Sequence, residues 1–291
     1  MTTPVFADGI GAFADRYEAF VIDQWGVLHD GIRPYPGVVE ALERLHDARK
    51  RIVLLSNSGR RKTVSEKRLL DIGFDLRLFD AVVTSGETAW QGFRERIEPP
   101  FTTLGRRCML LTREGDLSVA QGIGLDLVAT PEDADFLFVS GVEPPPMTAD
   151  DYQETLDRSL ACGLPMLCAN PDLVAVTGAD LTLAPGTLAE RYKAAGGTVH
   201  YVGKPYAPVY RACRHVLPDL QPAQIIGIGD SMAHDVRGAN DAGMASAFVT
   251  QGIHQEAFPP EAPVTDLARA LHALAAEHAA RPDWVIPRLA W

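Results

Sequence analysis

The chain is short of the features that would take it outside ordinary globular proteins. It has four cysteines, Cys108, Cys162, Cys168 and Cys213, with no Cys-x-x-Cys pair and no histidine at zinc-ligand spacing. That excludes a disulfide framework and a structural zinc site as organising devices. Nowhere do the roughly 18 consecutive apolar residues of a membrane span occur, so no membrane partner is expected. The opening stretch MTTPVFADGIGAFADRYEAF lacks the basic start, apolar block and small-residue cleavage site of a secretory leader, and the expected compartment is the cytoplasm. A long basic stripe is also missing: Lys plus Arg number 27 against 38 Asp plus Glu, a net charge of −11. Such a balance repels a polyphosphate backbone and excludes nucleic acid as the partner. No internal repeat or low-complexity tract stands out.

What is present is a foldable average. The 291 residues are 46% hydrophobic and 22% charged, enough for about two domains at roughly 100–200 residues each. EAFVIDQWGVL reads as an apolar strand ending at Asp23 and broken at Gly26. A helical stretch from Pro36 to Ala48 follows, then the short aliphatic run RIVLLS ending at Ser56. Thr63 and Glu66 fit a capping box opening a helix that Gly73 stops, and DAVVTS gives another strand. The alternation starts afresh from Gly86 to about Ala169, and again near Gly186 with VHYVG, QIIGIGD and SAFVT as strands. A last helix covers about Thr265 to Ala279. Short aliphatic runs alternating with helices imply parallel strands joined by right-handed crossovers, an α/β sheet covered on both faces.

Ligands of such sheets bind outside the carboxyl ends of the strands. Asp23, Ser56, Lys204 and Asp230 each follow a predicted strand, which places one polar group per strand on what is expected to be a single rim. Any one of them alone is an ordinary cap or turn residue. Asp235, in GDSMAHDVRGA, makes the set specific: with Asp23 and Asp230 it forms an oxygen-only group suited to Mg²⁺ and unsuited to zinc. Lys204, fixed before Pro205, carries a point charge able to offset an anionic nucleophile and a phosphate oxygen. Ser56 with the backbone N–H groups of Asn57 and Ser58 forms an anion cradle, with the Arg60–Lys62 cluster nearby.

Taken in order, D-x-W-G-V-L-H-D-G at Asp23–Gly31, L-L-S-N-S at Leu54–Ser58, G-K-P at Gly203–Pro205 and G-D-S-x-x-x-D at Gly229–Asp235 resemble the four motifs of the haloacid dehalogenase-like (HAD) hydrolases. The long insertion between the second and third motifs resembles the class IIA branch, which includes 4-nitrophenylphosphatase-like and sugar-phosphate phosphatases. The resemblance implies an α/β Rossmann-like core from residues 1–86 and 172–291, with an inserted α/β cap over 87–171. It implies a Mg²⁺-dependent phosphatase for a small-molecule phosphomonoester, and class IIA relatives suggest a homodimer. Asp23 would be the nucleophile that forms an aspartyl-phosphate, Ser56 would bond the phosphoryl oxygens, and Lys204 would steady both carboxylate and phosphate. Asp23, Asp230, Asp235 and the carbonyl of Trp25 would hold the Mg²⁺. Glu143, Asn170 and Asp172 are candidates lining the cap for substrate contact.

One position departs from the family pattern. The phosphatases normally carry a second Asp two residues after the nucleophile, to protonate the leaving oxygen and activate water; here that residue is Trp25. An indole N–H donates a hydrogen bond and relays no proton. Losing a general acid–base costs roughly 10²–10⁴-fold, most for poor leaving groups. The alternatives that follow are a protein that binds phosphate esters without turning them over, and a dehalogenase, which carries an aromatic here and needs no leaving-group acid. His29 and His234 are nearby in sequence as substitute proton carriers.

Overall fold

The structure, a computed structural model, describes residues 3–177 and 180–291. In chain order its strands are β1 (Val5–Phe6), β2 (Ala19–Asp23), β3 (Arg51–Ser56), β4 (Ala81–Thr84), β5 (Arg107–Leu111), β6 (Asp126–Leu127), β7 (Phe136–Val139), β8 (Met166–Cys168), β9 (Val174–Thr177), β10 (Asp180–Leu183), β11 (Val199–Tyr201), β12 (Ile225–Gly229), β13 (Ala245–Val249) and β14 (Trp284–Ile286). The α-helices are α1 (Val38–Asp47), α2 (Lys62–Asp71), α3 (Ser85–Glu95), α4 (Gln153–Ala161), α5 (Pro185–Ala194), α6 (Ala207–Val216), α7 (Arg237–Asp241) and α8 (Val264–Glu277). They divide into two compact units. One comprises Met1–Ser56, Glu66–Val83 and Tyr210–Trp291; the other comprises Asn57–Ser65 and Thr84–Val209.

The first unit is built on a seven-stranded sheet of order β1-β14-β13-β12-β2-β3-β4. Its central pairings, β12 with β2 and β2 with β3, are parallel. A parallel strand is covered on both faces, so its residues run apolar without alternation. Ala19–Ile22 and Ile52–Leu55 are accordingly buried throughout. One face packs Phe20, Ile22, Leu54 and Ile228 against α1, whose Val38, Ala41, Leu42 and Leu45 recur at the helical period. The other face packs Phe248 and Val285 with Leu271 of α8 and Met232, Val236 and Phe258 from the intervening turns.

The second unit holds a five-stranded parallel sheet of order β11-β8-β7-β5-β6 and the antiparallel hairpin β9–β10. Leu137, Val139, Met166 and Cys168 pack against Leu156 of α4 and Leu188, Ala189 and Tyr192 of α5. Phe136 and Phe138 meet Phe93 of α3, with ring centroids 5.3 and 5.9 Å away.

Several expectations need correction. VHYVG does not join the sheet that holds Asp23, because β11 pairs with β8. Helix α2 opens at Lys62, so Thr63 lies inside it and caps nothing. The Lys62 N–H donates at 3.3 Å to the carboxylate of Glu87, which also pairs with the Arg61 guanidinium at 2.7 Å. The sequence reading does not include strands β1, β6, β9, β10 and β14. β1, β6 and β14 are only two or three residues long, and no Asn-Gly or Asp-Gly pair separates β9 from β10 in the sequence.

Candidate active site

The order of the seven-stranded sheet reverses between β2 and β12: the chain continues outward from β2 to β3 and β4, and in the other direction from β12 to β13 and β14. Loops diverge at such a point and leave a crevice at the carboxyl ends. Asp23 is the last residue of β2, and Asp230 follows Gly229, the last residue of β12. Ser56 ends β3 and is buried; Asp23 lies beside Leu55 in the ladder, so Ser56 stands one residue further along the same rim.

Asp235 comes from the turn after β12. Residues Met232–Val236 form a π-helical turn before α7, and Ser231 caps it by accepting the His234 N–H at 3.2 Å. The Tyr210 hydroxyl lies beneath this turn, donating to the carbonyls of His234 and Asp235 at 3.3 and 3.4 Å. A π turn leaves carbonyls that an α-helix would satisfy, and Tyr210 compensates. The result is convergence: one carboxylate oxygen from each of Asp23, Asp230 and Asp235 lies within 4.8 Å of the others. Asp230 and Asp235 are 3% and 7% exposed. Like charges at that distance repel by roughly 3 kcal/mol per pair at a protein-like effective dielectric constant. An all-oxygen, triply anionic set at this spacing fits a hard divalent cation such as Mg²⁺.

Asn57, Ser58, Asn170, Asp172 and Lys204 belong to the second unit. The Asn57 carboxamide is the connector there. Its Oδ1 accepts the Lys204 N–H at 2.6 Å, and its Nδ2 donates to Asp172 Oδ1 at 2.8 Å and to the Lys204 carbonyl at 3.4 Å. Asn170 Oδ1 accepts the Asp172 N–H at 3.0 Å. Asn57, Asp172, Asn170 and the Lys204 backbone are therefore one hydrogen-bonded group, with Lys204 itself 3% exposed. The Ser58 carbonyl accepts the Gly86 N–H at 3.0 Å. Glu143 belongs to a separate network, where both carboxylate oxygens accept the Glu114 N–H at 3.0 Å.

Trp25 and His29 have packing partners of their own. The Arg68 guanidinium lies 4.6 Å from the centroid of the Trp25 ring, and Arg68 donates to the Gly31 carbonyl at 3.2 Å. Gly31 gives the indole its room: a Cβ there would sit 2.5 Å from Trp25 Cζ3. His29 meets the indole edge-on at 5.1 Å and is 1% exposed. Its Nδ1 accepts the Gly31 N–H at 3.1 Å, which puts the proton of the neutral ring on Nε2. Burial, with the Arg68 charge second, lowers its pKa from the usual 6.5 to about 4. At neutral pH this imidazole is an acceptor that shapes the 24–35 loop, and it has no proton to give from Nδ1.

The chain is similar to known proteins over most of its length. Residues 20–126 match the haloacid dehalogenase-like hydrolase family and residues 201–291 match the HAD-hydrolase-like family. A D-glycerol 3-phosphate phosphatase of Mycobacterium tuberculosis is 25% identical over 84% of this chain; the chain spans 65% of that protein's length. The sugar-phosphatase AraL of Bacillus subtilis is 28% identical over 80% of this chain and 82% of its own. A crystal structure of a haloacid dehalogenase-like hydrolase from Brucella suis 1330 superposes with a TM-score of 0.80 at 27% identity, covering 97% of this chain and 99% of that one. With its motif carboxylates gathered at the switch point of a parallel sheet and both of its ends matched to the same family, the chain belongs to the haloacid dehalogenase-like hydrolases.

Proposed function

We propose that this chain is a Mg²⁺-dependent phosphomonoesterase for small organic phosphates that works through an aspartyl-phosphate on Asp23. The observation that carries the reading is the convergence of Asp23, Asp230 and Asp235. Those three side chains, with the Trp25 carbonyl, would hold the Mg²⁺. When bound, the ion neutralises charge on the carboxylates and on the phosphoryl oxygens.

In the first step an Asp23 carboxylate oxygen attacks phosphorus, the P–O bond to the leaving group breaks, and the departing oxygen keeps the electron pair. Ser56 donates a hydrogen bond to the transferring phosphoryl group, and the Lys204 ammonium offsets the charge of carboxylate and phosphate. In the second step water attacks phosphorus, the P–O bond to Asp23 breaks, and the carboxylate is restored while inorganic phosphate leaves with the oxygen of the water and its proton passes to solvent. With Trp25 at the position of the usual acid, the leaving oxygen takes its proton from water, which favours esters whose alcohols leave readily. The names of the curated relatives support glycerol- and sugar-type phosphates as the class to test first. Asn57, Ser58 and Asn170 are assigned to substrate binding, Asn57 through its hold on the Lys204 segment.

A second reading, a phosphate-ester binder without turnover, is favoured by Trp25 alone. Displacement of halide from carbon has no use for three converging carboxylates, so a dehalogenase is disfavoured. The deciding measurement is release of 4-nitrophenol from 4-nitrophenyl phosphate. Activity is expected with Mg²⁺, is lost on chelation, and falls at least about 10³-fold in Asp23→Asn. Wild-type rates no higher than those of Asp23→Asn, with retained Mg²⁺-dependent binding of the ester, would favour the binder.

A further inference from the structure

Two of the three converging carboxylates lie against backbone that has no side chain. A Cβ built on Gly26 would stand 2.1 Å from Asp230 Oδ2, and one on Gly252 would stand 1.9 Å from the same atom. A Cβ on Gly229 would stand 2.0 Å from Asp235 Cγ and 2.4 Å from its Oδ2. All are far inside the roughly 3.5 Å at which non-bonded heavy atoms meet. Each of these oxygens also accepts a backbone N–H: Asp230 Oδ2 from Ile253 at 3.0 Å, and Asp235 Oδ2 from Ser231 at 3.1 Å. Gly26 and Gly252 have φ of +76° and +102°, so their carbonyls and N–H groups are aimed by a conformation side chains rarely adopt.

We infer that Gly26, Gly229 and Gly252 are positioning residues for divalent-cation binding. They let the backbone close onto Oδ2 of Asp230 and Asp235, so that a main-chain N–H fixes that oxygen and with it the orientation of the carboxylate. This rests on the reading that Asp23, Asp230 and Asp235 hold a divalent cation. The consequence is that affinity is set partly by residues that never touch the ion. A methyl group at Gly252 or Gly229 forces the carboxylate to rotate or the loop to withdraw, and either change spoils the convergence. Contacts that orient a metal ligand from outside are worth about 10–100-fold in affinity.

The test needs no substrate. Mn²⁺ affinity is measured by loss of the free-ion electron paramagnetic resonance signal, for wild type, Gly252→Ala, Gly229→Ala and the control Gly163→Ala. Gly163 has φ of +67° with nothing within 4 Å of a built Cβ, so its alanine variant carries the backbone strain without the collision. The dissociation constant is expected to rise at least about tenfold in the two site variants and less than about twofold in the control. Wild-type protein that binds no Mn²⁺ defeats the cation-site reading. Site variants that bind as tightly as wild type overturn the positioning role alone.

Should the glycine variants fail to fold, Asp230→Asn and Asp230→Ala decide the matter through thermal unfolding without metal. Asparagine keeps an acceptor for the Ile253 N–H and alanine does not. Asp230→Asn is expected to melt measurably higher than Asp230→Ala; equal midpoints would overturn the claim that this oxygen is committed to the loop.

Discussion

At position 25 the indole occupies a place where phosphatases of this family carry an acid, and its neighbours explain why it persists. It fits onto the bare backbone of Gly31, edge-on to His29 and beneath the Arg68 guanidinium. Burying an aromatic face and adding a cation–π contact together stabilise by about 2 kcal/mol. Trp25→Asp is therefore expected to lower unfolding stability by about that amount in urea titrations. It is also expected to raise the turnover of alkyl phosphates relative to aryl phosphates, because it restores a proton donor. An unchanged ratio would show that the proton limitation arises elsewhere. Asp23, Ser56, Lys204 and Asp230 could be picked out because each follows an apolar run, and Asp235 because it stands five residues after Asp230 in G-D-S-x-x-x-D. The packing of Trp25 on Gly31 was not readable: it depends on a loop that returns on itself through the His29 and Gly31 bonds, and no periodicity encodes that. The same holds for Ile253, whose contribution to Asp230 is a backbone N–H and so carries no mark in the side-chain alphabet.

Among the secondary-structure elements, nearly every long strand and helix was legible, since burial on both faces of a parallel sheet writes unbroken aliphatic runs. What the pattern could not say is which sheet a run joins. VHYVG is as apolar as its neighbours, yet it pairs with β8 in the five-stranded sheet. Partner choice is settled by tertiary packing, here Val199 and Tyr201 against the α5 core that includes Leu188 and Tyr192. Beyond that strand the Lys204 segment is tied to Asn57, whose Oδ1 accepts the Lys204 N–H and whose Nδ2 donates to Asp172 Oδ1. Asn57→Ala leaves the Lys204 N–H and an Asp172 oxygen without that partner. The expected cost is about 2 kcal/mol of stability, read by denaturant unfolding, with a fall in kcat that exceeds the change in KM. A variant that raises KM alone would assign Asn57 to substrate contact in place of positioning.

The first unit brings residues 5–13 against residues 283–290. Val5 and Ala7 donate to the carbonyls of Asp283 and Val285 at 2.9 Å, Ile10 donates to the Ala290 carbonyl at 2.7 Å, and Phe13 stacks on Trp284 at 4.9 Å. Ile10 and Phe13 are 0% and 1% exposed. Deleting residues 3–16 uncovers that face of the sheet and is expected to cost about 4 kcal/mol or more, seen as a lower urea midpoint or loss of the cooperative transition. An unchanged midpoint would mean that the first unit is sealed without them.

The division of the chain also bears on how its parts can be exchanged. Asn57–Ser65 clusters with the second unit although its neighbours on both sides cluster with the first. Gly86 donates to Ser58, Thr84 donates to the Arg60 carbonyl, and Glu87 holds Arg61 and Lys62. A chimera that transplants only the contiguous insert from a homologue would separate that insert from the short segment its first helix grips, and would mismatch every one of these contacts at once. Domain shuffling in this scaffold thus requires two non-adjacent pieces of gene to travel together.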